Sequence, residues 1–286
     1  MRMKQLSNNE YRIDVDKAWN RLFDRLEKDR LLTGDTTAAP KPKRKIPLQW
    51  AAIAAAVCIG FILSVFYLQR GKDQTLALLQ NKERSGTLVA TLEDGSTVYL
   101  APGASLSYPP VFDAAQRKVE LSGNALFYVS KDVKRPFIIE TNEKVTIEVV
   151  GTIFAVQSSP DNPFELSVKQ GKVNVHSSDN QTPFPVEAGE TVQLNAGKLN
   201  LFKTTNLHTF SGFTDKMCFK DEKLNNIVHA INSVYGSPTI ITDESINNRT
   251  LTVTFDNNSV ETMTKLICLA LNLKQINKQD TVFIQK

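Results

Sequence analysis

Histidine and cysteine are scarce in this chain, with three of each in 286 residues, and none of the six stands at metal-ligand spacing. There is no Cys-x-x-Cys pair, and His176, His208 and His229 are scattered, so nothing supports a zinc or haem site and no cofactor is expected. Acid–base catalysis at neutral pH lacks its usual carrier. Ser105 and Ser107 have no elbow glycines around them, there is no phosphate-binding loop, and Glu187 and Glu190 lie in a turn-like stretch where solvation is the plain reading. Nothing favours an enzyme. Cys58 sits inside an apolar run, which leaves Cys218 and Cys268 either to pair in an oxidising compartment or to remain buried thiols. Excess charge of one sign is missing from most of the chain as well. The net charge is +4, yet residues 1–45 hold 12 Lys/Arg against 7 Asp/Glu, leaving 22 against 23 for the rest. A nucleic-acid-binding face on the large portion is therefore disfavoured, because phosphate binding needs clustered Lys and Arg.

What is present begins with one long apolar run. Residues 46–68 read IPLQWAAIAAAVCIGFILSVFYL without a charge, and a helix of that length covers roughly 30–35 Å, enough for the hydrocarbon core. Trp50 and Tyr67 lie near its two ends, where amphipathic rings favour the headgroup region. A cleaved signal peptide would stand nearer the N-terminus and have a shorter apolar core. Lys41, Lys43, Arg44 and Lys45 precede the run, whereas only Arg70 and Lys72 follow closely. The positive-inside bias thus predicts a cytoplasmic N-terminus and residues 69–286 on the outer side, the periplasm of a Gram-negative cell.

The tail before the span carries one helical stripe. Val15, Ala18, Trp19, Leu22, Phe23 and Leu26 recur at helical spacing within DVDKAWNRLFDRLEKDR. Asp14 or Asp16 suits its start, and Arg25, Lys28 and Arg30 crowd its end, as the helix dipole favours. Gly34 and the TTAAPKPKRK stretch then break the helix into a tether. Forty-five residues cannot build a core around the stripe. Its outlets are a protein partner or the membrane surface, and Asp16, Asp24 and Glu27 on the polar face weaken the lipid reading.

Beyond the span, residues 69–86 read as a stalk and 87–202 as an all-β domain of roughly ten short strands. Leu88, Ala90 and Leu92 alternate before Asp94-Gly95, and Val98 and Leu100 after it, as a hairpin predicts. Val145, Ile147 and Val149 alternate up to Gly151, after which the phase shifts to Phe154 and Val156, predicting a bulge at the glycine. Further strands are predicted at 164–168, 173–176 and 191–194. Residues 203–216 form a linker, and 217–286 contain a repeat at an offset of 36, FKDEKL at Phe219 aligning with FDNNSV at Phe255. Each unit is a strand, a polar cap and an amphipathic helix, followed by strands at 239–242 and 249–255 in the first and 273–276 and 281–285 in the second. Asn258 with Glu261 suggests a capping box at the second helix. The fold class is thus a multi-domain membrane protein: cytoplasmic helix (1–45), transmembrane helix (46–68), all-β domain, and small C-terminal α/β domain of β-α-β repeats.

A string of motifs runs through the β region: Asp94-Gly95-Ser96-x-Val98-x-Leu100, Ser105-x-x-Tyr108-Pro109, Arg117-x-Val119-x-Leu121-x-Gly123, Pro136-Phe137, Val150-Gly151-Thr152-x-Phe154-x-Val156 and Gly171-x-Val173. In this order they closely resemble the FecR family of anti-sigma factors. Residues 217–286 resemble the family's C-terminal domain, which is similar to the short N-terminal domain of secretins and TonB-dependent receptors. Asp16-x-Ala18-Trp19 resembles its cytoplasmic helix. Asn124 departs from the glutamate usual after the glycine, a change at a surface contact.

The resemblance implies an inner-membrane protein that holds an extracytoplasmic-function sigma factor on Trp19, Leu22, Phe23 and Leu26. Outside, it implies contact with the signalling domain of a TonB-dependent outer-membrane receptor, followed by stepwise cleavage by envelope proteases. It also implies a second reading of Gly151 and Thr152, which in some family members form a self-cleaving pair; the plain reading is a strand glycine and a strand-forming threonine. Two functions of other classes stand beside it. One is a structural adaptor of the cell envelope, and the other a glycan-binding module using Tyr99, Tyr108 and Tyr128, which equally fit a β core.

Overall fold

The structure, a computed structural model, describes residues 15–29, 59–60, 76–159, 162–177, 180–206 and 208–286. The chain divides into two compact units between Lys72 and Asp73. The first contributes helix α1 (Val15–Lys28), with Asp16 in its first turn and Arg25 and Lys28 in its last, matching the dipole. Among the described residues no helix is long and apolar enough to cross a membrane. The expected span at 46–68 lies outside them, apart from Ile59 and Gly60, which are helical.

The second unit is dominated by strands. β1 (Ala77–Gln80) comes from the stretch read as a stalk, and is followed by β2 (Thr87–Thr91), β3 (Thr97–Leu100), β4 (Ser105–Tyr108) and β5 (Arg117–Ser122). Next come β6 (Ala125–Tyr128), β7 (Phe137–Thr141), β8 (Val145–Val149), β9 (Ile153–Gln157) and β10 (Glu165–Gln170). β11 (Lys172–Ser177), β12 (Asn180–Glu187), β13 (Glu190–Asn195) and β14 (Lys198–Lys203) complete the β region. A four-residue helix, α2 (His208–Ser211), leads into β15 (Lys216–Lys223), α3 (Leu224–Tyr235), β16 (Thr239–Thr242) and β17 (Thr250–Asp256). Last are α4 (Val260–Leu271), β18 (Lys274–Lys278) and β19 (Thr281–Gln285). Both long helices have 12 residues and start 36 apart, so the sequence repeat is a structural one.

Two large sheets face each other. One runs β1-β4-β5-β7-β8-β11-β12 and the other β14-β13-β10-β9-β6-β3-β2-β15-β17. Between them lies a core that includes Leu100, Leu106, Phe127, Phe137, Ile147 and Phe154. The nine-stranded sheet is covered on its opposite face too. There Val89, Tyr99, Leu126 and Tyr128 meet Ile227, Ile231, Met263 and Ile267 of the two helices. β3 and β6 are consequently buried at every position, as strands covered on both faces must be. The C-terminal elements are also stitched into that sheet, because β15 pairs in parallel with β2, Met217 opposite Thr87 and Cys218 opposite Leu88. The remaining strands form a small sheet, β16-β19-β18.

Two local expectations change. The predicted bulge at Gly151 is a crossover: β8 belongs to one large sheet and β9 to the other, so the chain turns across the core there. The phase shift arises because the chain changes sheet while its apolar side chains keep facing the same interior. At α4 the N-cap is Ser259 rather than Asn258; the Ser259 hydroxyl accepts from the Thr262 backbone N–H at 3.3 Å. Asn258 instead accepts from the Asp256 N–H, closing the end of β17, and Glu261 pairs with Lys265 one turn on.

Candidate functional site

α1 presents its stripe to solvent. Val15, Trp19, Leu22 and Phe23 are each about half exposed (58, 55, 47 and 56%), Ala18 is exposed and Leu26 half-buried. The Trp19 and Phe23 rings, one turn apart, lie with centroids 6.3 Å apart on that face. A soluble helix ordinarily turns such a stripe towards a core; here nothing among the described residues covers it. Asp14 and Arg30, the outer capping candidates, lie outside the described residues.

In the second unit six of the motif residues, Asp94, Ser96, Arg117, Gly151, Thr152 and Gly171, come together around Ser130 and Lys131 at one end of the strands. The centre is Arg117, fully buried at the start of β5. Its Nη1 donates to Asp94 Oδ2 at 2.6 Å and to the Ser130 carbonyl at 2.9 Å, and its Nε donates to the Arg135 carbonyl at 2.8 Å. The guanidinium also lies 5.3 Å from the Phe137 ring centroid. Asp94 in turn accepts from the Ser96 N–H and hydroxyl, and the Ser96 Oγ accepts from the Ser130 N–H. One ion pair thus ties the β2–β3 turn to β5 and to the crossover between β6 and β7. A buried ion pair offers little net stability but punishes any arrangement that separates its partners. The Asp-Gly-Ser and Arg motifs serve the fold.

Gly151 and Thr152 belong to the same end. A Cβ on Gly151 would lie 2.7 Å from Lys131 Cα and 2.8 Å from its Cβ, so only glycine fits the crossing of those two segments. On the other side, a Cβ on Gly171 would meet Thr152 Cγ2 at 2.5 Å. Thr152 is buried and its carbonyl accepts from the Val129 N–H, but its hydroxyl has no hydrogen-bond partner among the described residues. A buried nucleophile therefore adjoins the Gly151 carbonyl, with no hydrogen-bonded acid or base to take its proton.

Other candidates resolve simply. Tyr99 and Tyr128 are buried under the C-terminal helices with ring centroids 5.4 Å apart, and the Tyr99 hydroxyl donates to the Ala230 carbonyl at 3.3 Å. Burial raises both phenols above their ordinary value, Tyr99 further through its neighbours Tyr128 and Tyr235. Neither ring is offered to a sugar. Cys218 and Cys268 are free thiols, the first half-buried and the second buried. Asn124 is half-buried and accepts from the Ser158 N–H at 3.1 Å. The Asp94–Arg117 pairing left no local trace in the sequence; both residues stood in the motif string, but nothing there joined them.

The second unit is thus a two-core β-rich module whose most distinctive residues hold its layers in register. Its sequence matches the FecR protein model over residues 83–174 and the model of the FecR C-terminal region over 216–284. Together these span more than half of the chain, and it belongs to the FecR family of anti-sigma factors. Two crystal structures of a candidate anti-sigma factor from Parabacteroides distasonis ATCC 8503 are similar, each with 22% identity over 74% of this chain and 99% of that one, at a TM-score of 0.46. No curated protein matches the sequence.

Proposed function

We propose that the chain is a single-pass inner-membrane anti-sigma factor that holds an extracytoplasmic-function sigma factor on α1 and relays a periplasmic signal to it. The observation that carries this is the uncovered stripe of Val15, Trp19, Leu22 and Phe23. Aromatic anchors of this kind supply most of the energy of a helix-in-groove contact. Residues 46–68 join that helix to the folded unit outside, where the 217–286 module meets the signalling domain of a TonB-dependent receptor. Stepwise cleavage by envelope proteases then frees the sigma factor with its bound tail. Co-purification of the full chain with extracytoplasmic-function sigma factors of the host, expressed one at a time, tests the inner half. Retention of none, or retention undiminished by Trp19→Ala with Phe23→Ala, rejects it. Deletion of 217–286 without loss of receptor binding rejects the outer half.

Self-cleavage at Gly151-Thr152 is the second reading: the buried Thr152 hydroxyl adjoins the Gly151 carbonyl, and against the step stand the absence of a hydrogen-bonded base among the described residues and the steric need for glycine at that crossing. Oγ1 attacks the Gly151 carbonyl carbon, the C–N bond breaks as the nitrogen takes the proton, and water hydrolyses the resulting ester. Two fragments from wild type and from Thr152→Ser, but one band from Thr152→Ala, are expected. A single intact wild-type band discards the step.

A further inference from the structure

Among the described residues six strands close the ends of the three sheets: β1 and β12, β14 and β17, β16 and β18. An open sheet edge invites pairing with another chain, and proteins blunt such edges by shortness, lysine or proline. β1 and β16 have only four residues each. β12 contains Pro183 and Pro185. β14 carries Lys198 and Lys203 at its ends, and β18 carries Lys274 and Lys278. β17 has none of these. It is seven residues long, TLTVTFD, and its only charge, Asp256, lies at the end and pairs with Lys216 at 3.5 Å. The register shift of the β15–β17 pair lies between Phe219 and Glu222, on the inner strand, away from the open side.

The two sides of that edge differ in chemistry. On one, Leu251 and Val253 pack against the core beneath α3 and α4. On the other, Thr252 and Thr254 line a groove of about 730 Å³, together with Lys82, Arg84, Lys216 and Lys220, against which Glu83 is the lone acid. The loop carrying Lys82 and Arg84 is held in place by buried Asn81, whose Nδ2 donates to the Gly86 and Leu100 carbonyls at 2.9 Å and whose Oδ1 accepts from the Glu83 N–H. The cations are thus pre-positioned beside the open strand.

We infer that β17 is a docking edge for an extended partner strand in which acidic and apolar residues alternate. Backbone pairing to β17 supplies the affinity. Period-two geometry then sends alternate side chains to the basic groove and the others to Leu251 and Val253. The inference rests on reading 217–286 as the contact module and names the strand that makes the contact. Peptides about eight residues long, an ordinary strand length, test it with the full chain in detergent: one alternating Glu and Val, one alternating Lys and Val. The Glu–Val peptide is expected to bind and to slow amide exchange across Thr250–Phe255. The double variant Arg84→Glu with Lys220→Glu, both exposed positions, is expected to weaken it about tenfold and to favour the Lys–Val peptide instead. Equal binding of both peptides, absence of binding, unchanged exchange at β17, or self-association of the chain through β17 would each overturn it. Receptor-domain binding unaffected by the double variant sinks this inference alone. Receptor binding that survives deletion of 217–286 sinks the underlying reading, whatever the peptides do.

Discussion

Replacing Asp94 by asparagine tests whether the motif cluster is a lock. Arg117 is shielded completely, and the Asp94 side chain is only 2% exposed, so neither charge is stabilised by water. The substitution removes the carboxylate that accepts from Arg117 Nη1 and from Ser96, leaving a buried guanidinium supported by two carbonyls, with Nη2 already unpartnered. An uncompensated buried charge costs about 3–5 kcal/mol. For a unit of this size, each kcal/mol lowers the melting temperature by about 2–4 °C, so a fall of roughly 6–20 °C is expected. Arg117→Met should also destabilise, by leaving Asp94 unpaired. The double variant should recover much of the loss, since a neutral pair of similar volume is often no worse than the ion pair it replaces. The assay is thermal melting followed by near-ultraviolet circular dichroism on all four proteins, read as a double-mutant cycle. A single-variant effect below about 0.5 kcal/mol, or a double variant equal to the sum of the singles, would refute the lock.

Gly151→Ala should destabilise by about 1–3 kcal/mol, because its Cβ meets Lys131 backbone rather than a movable side-chain tip; an unchanged melting temperature would contradict the crossing geometry. Trp19→Ala should leave the melting temperature unchanged yet weaken sigma-factor binding by about thirtyfold or more, measured by titration calorimetry. Alkaline conditions should loosen the helices from the sheet. Burial raises the Tyr99 phenol well above its ordinary value of 10.0, so its contribution is fully present below pH 10 and lost as pH rises further. Melting temperatures from pH 8 to 11 should therefore fall less steeply in Tyr99→Phe, offset at neutral pH by about 1 kcal/mol for the lost bond to Ala230.

The repeat at an offset of 36, the Asp94-Gly95 hairpin and the α1 stripe were all readable from sequence, because period, turn chemistry and caps act within a few residues. Even so, a one-residue displacement of the α4 cap escaped, since Asn258 and Ser259 are both good caps and only the backbone's exit from β17 chooses between them. Gly151 was legible as a break, but a bulge and a change of sheet give the same phase shift along one strand. Tyr99 and Tyr128 fitted an exposed face and a β core equally, because alternation reveals that two faces exist, not what covers each.

Sequence alone determined the kinds of element, the repeat, the uncovered helical face and the family motifs. Tertiary structure decided that β15 enters the sheet beside β2, that the C-terminal helices cover the β region's outer face, and that Asp94 meets Arg117. It also decided which of six sheet ends is left open. The reason is physical. Local preferences depend on neighbours along the chain, whereas strand order and the pairing of distant charges depend on which apolar faces can be buried together. That balance is struck only when the whole unit is assembled.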